Sequence, residues 1–332
     1  MKKLFFILFV LIHLLNPFVF AEKPVTLSKL MKADSIVVDD RHIYITENTT
    51  IYIYSLEDSQ LKKTFGKHGE GPQEFMGQVN VILQPDGLLV NSPGKISYYT
   101  KDGEFIKELK TGLGNMNFWP LEKGFVGRGS IQDNQVFYVT VNLFDSHLKK
   151  GKELFRMESA LQGESNKIEF LKQTFAYRTY RNKIFIVGKK GFIIDVLDRA
   201  GKHLFSIAQS YERLKFTSED EKKMRKVLKT LYGSMYEGLK HRIVFPRYFP
   251  EIEDFIIVDN KVYVFTYRTE NEKVEFFIFD IGGKLLKRIF VPFLNQRPML
   301  PYPFSVKGGK LYQVVEGEDE EWELYISPIG ID

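Results

Sequence analysis

Phe65-Gly66-Lys67-His68-Gly69-Glu70-Gly71-Pro72-Gln73-Glu74-Phe75 follows a strand-like run and is dense in glycine, with a proline near its centre. Glycine tolerates positive φ and close backbone approach, and proline fixes φ near −65°. The segment therefore reads as a stiff, sharply bent connector. A phosphate-cradling loop would need a helix N-terminus directly after it. Here the strand pattern resumes at Val79, so Lys67 and His68 are not assigned to phosphate. The expected role of Gly69, Gly71, Pro72, Glu74 and Phe75 is structural: they carry the outer strand of one unit to the inner strand of the next, with Phe75 wedged between the two.

Working outward, the chain before the connector holds Ser35–Val38, His42–Thr46, Ile51–Ser55 and Leu61–Phe65, four short alternating runs divided by turn signals. The unit returns after it as Val79–Leu83, Leu88–Asn91, Lys95–Tyr99 and Phe105–Leu109. A looser third copy spans Met116–Leu121, Gly124–Gly127, Val136–Phe144 and Gly151–Phe155. The fourth covers Gln173–Arg178, Lys183–Val187, Phe192–Leu197 and Lys202–Ile207; the fifth covers Asp254–Val258, Lys261–Thr266, Val274–Phe279 and Lys284–Phe290. Pro303–Val306, Lys310–Val315 and Trp322–Ser327 form a sixth copy that stops one strand short. Asp102-Gly103-Glu104, Ala200-Gly201-Lys202 and Gly282-Gly283-Lys284 are expected at hairpin turns between third and fourth strands, where φ > 0 is needed.

A repeated four-strand unit of roughly 35–50 residues is the signature of a propeller blade. The sequence thus predicts an all-β, six-bladed β-propeller over residues 22–330. The orphan strand Val25–Leu30 is expected to complete the sixth blade, closing the ring and hiding two open edges. One stretch, about 211–250, breaks the pattern between blades four and five. Ser218-Glu219-Asp220-Glu221 reads as a capping box with Ser218 as N-cap. Met224, Val227, Leu228, Leu231, Tyr232, Met235, Tyr236 and Leu239 follow at helical spacing, predicting a helix to about Lys240 that docks on a face or rim of the ring.

The connector resembles the "fG-x-x-G-x-G-P-G-E-F" phrase of exported bacterial six-bladed β-propeller proteins related to NHL repeats. The capped helix followed by Phe245-Pro246 and a strand ending in Val258-Asp259 is similar to that family too. Gln73 stands where the phrase has glycine, and the phrase occurs once, so this is not a regular repeat array. The resemblance covers essentially all of residues 22–330 and implies a fold, since the family's members mostly lack an assigned activity.

Residues 1–21 read as a cleaved secretory signal: Lys2 and Lys3, an apolar run from Leu4 to Leu15, a break at Asn16-Pro17, then Val19-Phe20-Ala21. The protein is accordingly expected to be exported, periplasmic or extracellular, with no integral membrane segment after cleavage. The chain has no cysteine, which excludes disulfides, thiolate zinc sites and thiol catalysis. Net charge is +5, too small to imply nucleic acid.

The six histidines, at 13, 42, 68, 147, 203 and 241, form no HxxxH, HxH or HExxH, and no Gly-x-Ser-x-Gly occurs. Asp39, Asp40, Asn80, Asn117 and Asp259 could supply oxygens to a calcium-dependent lactonase-type site, but their spacing does not repeat; as turn residues they need no cation. No catalytic residue, metal ligand or cofactor is assigned. Arg128, Arg178, Arg181, Arg247 and Tyr248 fall at blade starts or first turns and are the candidate ligand-binding residues. Arginine clamps carboxylate or phosphate bidentately, and tyrosine offers a stacking surface. The competing reading pairs those arginines with neighbouring acids. Trp119 and Trp322 are assigned to packing. The expected function is a non-enzymatic binding or scaffold module for a protein, peptide or glycan; the alternative is a channel-centred, metal-dependent lactonase or lyase.

Overall fold

The computed structural model describes residues 24–111, 117–134, 136–159, 167–297, 300–317 and 319–330. The assigned signal, residues 1–21, and Met116 of the third copy lie outside the described residues. Six four-stranded antiparallel sheets follow one another along the chain. Blade 1 is Ser35–Val38, His42–Glu47, Thr50–Ser55 and Leu61–Phe65. Blade 2 is Asn80–Gln84, Gly87–Ser92, Lys95–Tyr99 and Phe105–Lys110. Blade 3 is Phe118–Leu121, Gly124–Asp133, Val136–Phe144 and Lys150–Glu158. Blade 4 is Ala176–Tyr180, Lys183–Val187, Ile193–Leu197 and His203–Ala208. Blade 5 is Asp254–Val258, Lys261–Glu270, Lys273–Asp280 and Leu285–Pro292. Phe304–Lys307, Lys310–Glu316 and Trp322–Pro328 make three strands of blade 6.

The N-terminal segment completes blade 6 as expected, but its strand is only Val25–Thr26, with Val25 opposite Leu324. Side chains do the rest of the closure. Leu27 and Leu30 are buried with Trp322 and Leu324 of blade 6 and Ile36 and Tyr54 of blade 1. Trp322 Nε1 donates to Met31 O at 2.8 Å, and Tyr54 Oη donates to Ser28 O at 2.8 Å.

First strands of neighbouring blades touch, which places them around the axis. Six apolar clusters lie one between each pair of adjacent blades, so the core is a ring of interfaces. Alternation supplies this: the second strand of each blade buries consecutive side chains, and so both faces of its sheet, whereas the outer strands are mostly half-buried or exposed. Turns between third and fourth strands repeat one chemistry. Asp145, Asp198 and Asp280 each accept two backbone N–H groups of their own turn. Gly201 in the blade 4 turn has φ 74, and a Cβ there would stand 2.2 Å from Leu154 Cδ2 of blade 3. Only glycine satisfies both demands.

The connector is the wedge its sequence predicts. Phe75 is wholly buried among Tyr44, Ile51 and Ile53 of blade 1 and Val81, Leu88 and Val90 of blade 2. Lys67–His68 pairs in parallel with Glu74–Phe75, and Gly71 N–H donates to Glu74 Oε2 at 2.8 Å. The buried Lys95 ammonium donates to Gly71 O at 2.8 Å and meets Glu108 at 3.3 Å. Gln73 takes φ 64, so the left-handed conformation persists where the family phrase has glycine. The turn closed by Glu74 N–H onto Gly71 O holds it there.

Candidate binding site

Antiparallel strands put the blade-to-blade connections and second-to-third-strand turns at one end of the ring, the connection face. The remaining turns form the opposite, turn face. The additions to the blade pattern gather on the connection face. Blades 3 and 5 lengthen their second and third strands into hairpins that run to Asp133/Val136 and Glu270/Lys273. The helical insertion between blades 4 and 5 joins them.

That insertion contains helix α1, Ser218–Tyr232. Its N-cap is Thr217, not Ser218, and the reciprocal partner is Asp220, not Glu221. Thr217 is extended (ψ 168) and its Oγ1 accepts from Asp220 N–H at 3.2 Å, while Thr217 N–H donates to Asp220 Oδ2 at 2.9 Å. Glu221, one residue into the turn, instead pairs with Arg225 at 2.8 Å. At Gly233 φ turns positive and ends α1; a 3₁₀ turn and the short helix α2, Tyr236–Leu239, follow. Met224, Val227, Leu228 and Tyr236 are buried against Ile168, Phe216, Ile243 and Phe249. The predicted stripe does not dock along its whole length: Leu231 and Met235 are 57% and 65% exposed.

Between the insertion and blade 4 opens a cleft of about 210 Å³. Its apolar wall is Phe170, Phe245, Pro246, Pro250 and Ile252. Cations stand among its lining residues. Arg213 Nε meets Glu251 at 3.0 Å, Lys189 meets Asp195 at 2.6 Å, and Lys172 pairs with Glu169. Burial alone would raise the Asp195 carboxyl, but the Lys189 and Ser206 contacts hold it below its ordinary range. Lys190, also lining the cleft, has no acidic partner among the described residues.

The five predicted binding residues separate into three places. Arg247 and Tyr248 sit beside the cleft on the strand-like return of the insertion: the Arg247 guanidinium lies 5.6 Å and that of Arg213 5.0 Å from the Tyr248 ring centroid. Arg247 is exposed and has no acidic partner among the described residues. Arg128 and Arg178 lie on neighbouring blades. Arg128 is exposed over Phe175 at 5.9 Å. Arg178, on the first strand of blade 4, reaches Asp254 of blade 5 with 3.3 and 3.0 Å contacts and donates to Tyr177 O at 2.9 Å. Its guanidinium also lies over Trp119 of blade 3 at 5.0 Å and Phe255 at 5.5 Å. It spans three blades as an inter-blade clamp, and most of its donors are spent. Arg181 is in the first turn of blade 4, on the turn face, over its neighbour Tyr180 at 5.6 Å. The fold does not bring it to the others.

Next to Arg178, Glu253 and Asp254 place two carboxyl groups in sequence. Burial, with the charge of Asp254, pushes the Glu253 carboxyl up to about 8. The phenol of Tyr267 is raised chiefly by burial and also by Glu253.

The acids of the turn face are engaged in the protein itself. Asp39 accepts from the N–H groups of Arg41 and His42 at 2.8 and 2.7 Å and from Tyr44 Oη at 3.0 Å. Lys307 bridges Asp40 at 2.8 Å and Asp259 at 2.7 Å, tying blades 5, 6 and 1 together. Against the downward pull of burial, the two acids push its ammonium up to about 12. Among the described residues no three His, Asp or Glu side chains converge as metal ligands. No helix among them is long and apolar enough to cross a membrane.

Sequence reasoning missed Arg213, Lys190 and Glu253. Lys190 follows Lys189 in a bend and Arg213 lies in an irregular stretch, neither within a motif. Glu253 differs from any strand-start acid only through its burial.

No family model and no curated protein matches the chain. Solved structures do. A candidate exported protein from Bacteroides fragilis is 11% identical with a TM-score of 0.50, over 92% of this chain and 94% of that one. A member of the DUF4221 family from Bacteroides vulgatus is 12% identical with a TM-score of 0.47, over 93% and 98%. The WD40 domain of Neurospora crassa Pan2 is 9% identical with a TM-score of 0.41, over 89% of each chain. At such identities the Bacteroides fragilis likeness speaks to fold alone.

Proposed function

We propose that this is an exported, non-enzymatic propeller, related to the NHL-repeat-like exported family, that presents its connection face to a protein, peptide or glycan. The observation that carries this reading is the cleft between the insertion and blade 4, where an apolar wall adjoins cations. Pockets of that composition take ligands with an apolar body and a few fixed polar contacts. Its chemistry favours an acidic segment with an apolar or aromatic side chain, seated on Phe245 and Pro250 and met by Lys190, Arg247 and Arg213. Tyr248 and Arg128 extend the surface. Arg178 supports it from behind by fixing blade 4 against blade 5.

The test is an array of peptides and glycans probed with the mature protein and with a Lys190→Ala/Arg247→Ala variant. Binding to acidic, aromatic-containing peptides that weakens about tenfold in the variant supports the site, as expected for loss of two charge-assisted contacts. A ligand bound unchanged by the variant removes the cleft from the function, and selective glycan binding replaces the acidic segment.

One observation favours a channel-centred enzyme as the second reading. Burial and the charge of Asp254 push the Glu253 carboxyl up to about 8, the direction a general acid needs. Stoichiometric Ca²⁺ or Zn²⁺ that survives dialysis of the mature protein would move the assignment to that class.

A further inference from the structure

A second cavity, also of about 210 Å³, lies on the other side of the Gln209–Arg213 segment, against blade 5. Arg213 faces the cleft described above, whereas Tyr211 and Glu212 line this second space. At its base is Glu275, wholly buried in the third strand of blade 5. Thr266 Oγ1 donates to Glu275 Oε2 at 2.7 Å. Arg288 donates from Nε to Oε1 at 2.7 Å and also contacts Oε1 through Nη2. Glu275 Oε1 thus takes two donors from one arginine, and Oε2 takes one from a hydroxyl.

A second arginine stands over the same carboxylate without sharing it fully. Arg268 Nε is 3.9 Å from Glu275 Oε2, and this enclosed donor has no hydrogen-bond partner among the described residues. Arg268 Nη2 donates to the backbone oxygen of Glu212 at 3.0 Å; the exposed Glu212 carboxylate has no cationic partner among the described residues. The cavity wall therefore holds two guanidiniums over the buried Glu275 carboxylate, with the Glu212 carboxylate at its exposed rim. Each is laid on an aromatic ring: Arg268 over Tyr211 at 5.7 Å, Arg288 over Phe277 at 5.4 Å. Tyr211 and Phe277 meet edge to face at 6.0 Å, and Leu285 completes an apolar side.

An enclosed guanidinium donor left unmade is costly, and the fork of a guanidinium matches a carboxylate. From this enclosed, unmade donor set between aromatic walls, we propose that the cavity binds a carboxylate attached to a small apolar or aromatic body. Two sources share that chemistry: a free organic acid and the C-terminal residue of a peptide. The site is distinct from the blade 4 cleft and does not depend on it.

The experiment titrates the mature protein with phenylacetate, with N-acetyl-Gly-Phe and with the amide of the same dipeptide, read by calorimetry and by NMR. The expected result is saturable binding of at least one acid, with the amide about tenfold weaker or silent. Phenylacetate binding as tightly as the dipeptide identifies a free acid as the ligand type; a tighter dipeptide identifies a peptide C-terminus. Arg268→Gln should weaken the acid about tenfold, and Lys190→Ala/Arg247→Ala should leave it unchanged, which separates this site from the cleft. If Arg268→Gln misfolds, the Lys190→Ala/Arg247→Ala variant still decides: acid binding that it abolishes belongs to the cleft and overturns this site. Equal binding of acid and amide, or no binding of either acid up to about 10 mM, overturns the proposal; millimolar is already the weak end of specific association.

Discussion

Two blade-to-blade connections cross the same face of the ring and do opposite things. The Gly66–Phe75 connector between blades 1 and 2 closes on itself. Its Gly71 N–H goes to Glu74, its Gly71 carbonyl to Lys95, its Lys67 to Glu74, and its one large apolar side chain into the interface. The insertion between blades 4 and 5 stays open. It builds a small core of its own, yet leaves a cleft, the charges of Lys190 and Arg247 with no acid partner among the described residues, and two exposed apolar side chains. Every polar group of a structural connector tends to find a partner, because an unmade buried hydrogen bond costs about 1–3 kcal/mol. Surplus donors beside an apolar wall are tolerated where a ligand can use them. This contrast is the ground for proposing the ligand-binding surface on blades 4 and 5.

The sharpest way to break the comparison is Phe75→Ala. Truncating a wholly buried phenylalanine forfeits its transfer energy and leaves a cavity, about 3–5 kcal/mol. Urea unfolding should show that loss, whereas Phe245→Ala, at the half-buried wall of the cleft, should cost clearly less while weakening ligand binding. A Phe75→Ala cost below about 1 kcal/mol would mean the connector is not a wedge, since that is the scale of ordinary surface changes.

This difference also governs what could be read from the residues. Alternating strands, the Asp-Gly, Ala-Gly and Gly-Gly turns and the missing outer strand of blade 6 are local signals, and they give six blades and their closure. Phe75 belongs to that class, since it follows the connector directly. The cap moved by one residue because Thr217 and Ser218 both carry a hydroxyl with an acid three residues on; only the extended backbone at Thr217 chooses between them. Sites are different, because their partners are far apart in sequence. Arg178 looks like a free arginine until Asp254 and Trp119 arrive from the flanking blades. Arg213 acquires meaning only beside Glu251 and the Tyr248 ring. The cleft is made by four segments, none informative alone.

Glu253→Gln tests whether blade 5 holds a proton at its inner edge. The unfolded carboxyl titrates near 4.3, and in the folded protein it is pushed up to about 8. Between those values the native state binds the proton and the unfolded chain does not, so stability falls as pH rises through this window and levels off above it. Hydration of the opened side chain reduces the cost to on the order of 2 kcal/mol. Denaturation at pH 5 and pH 8 should show the wild type losing stability relative to Glu253→Gln. Parallel behaviour would place Glu253 in water and remove the acid–base reading.

The smallest effect is expected at the open end of the insertion, and its smallness is the point. Leu231 follows the same helical stripe as Leu228, three residues earlier, yet Leu228 is 1% exposed and Leu231 57%. Helical spacing alone would rank them equally. Leu228→Ala should cost about 2–5 kcal/mol by leaving a hole among Ile168, Phe216 and Ile243. Leu231→Ser should stay within about 0.5 kcal/mol, because water already covers the side chain. A loss of more than about 1 kcal/mol at Leu231, beyond that surface range, read by the same unfolding curves, would show that the tip is covered in solution. The insertion would then be a closed structural element like the connector, and the assignment of the open face to ligand binding would lose its ground.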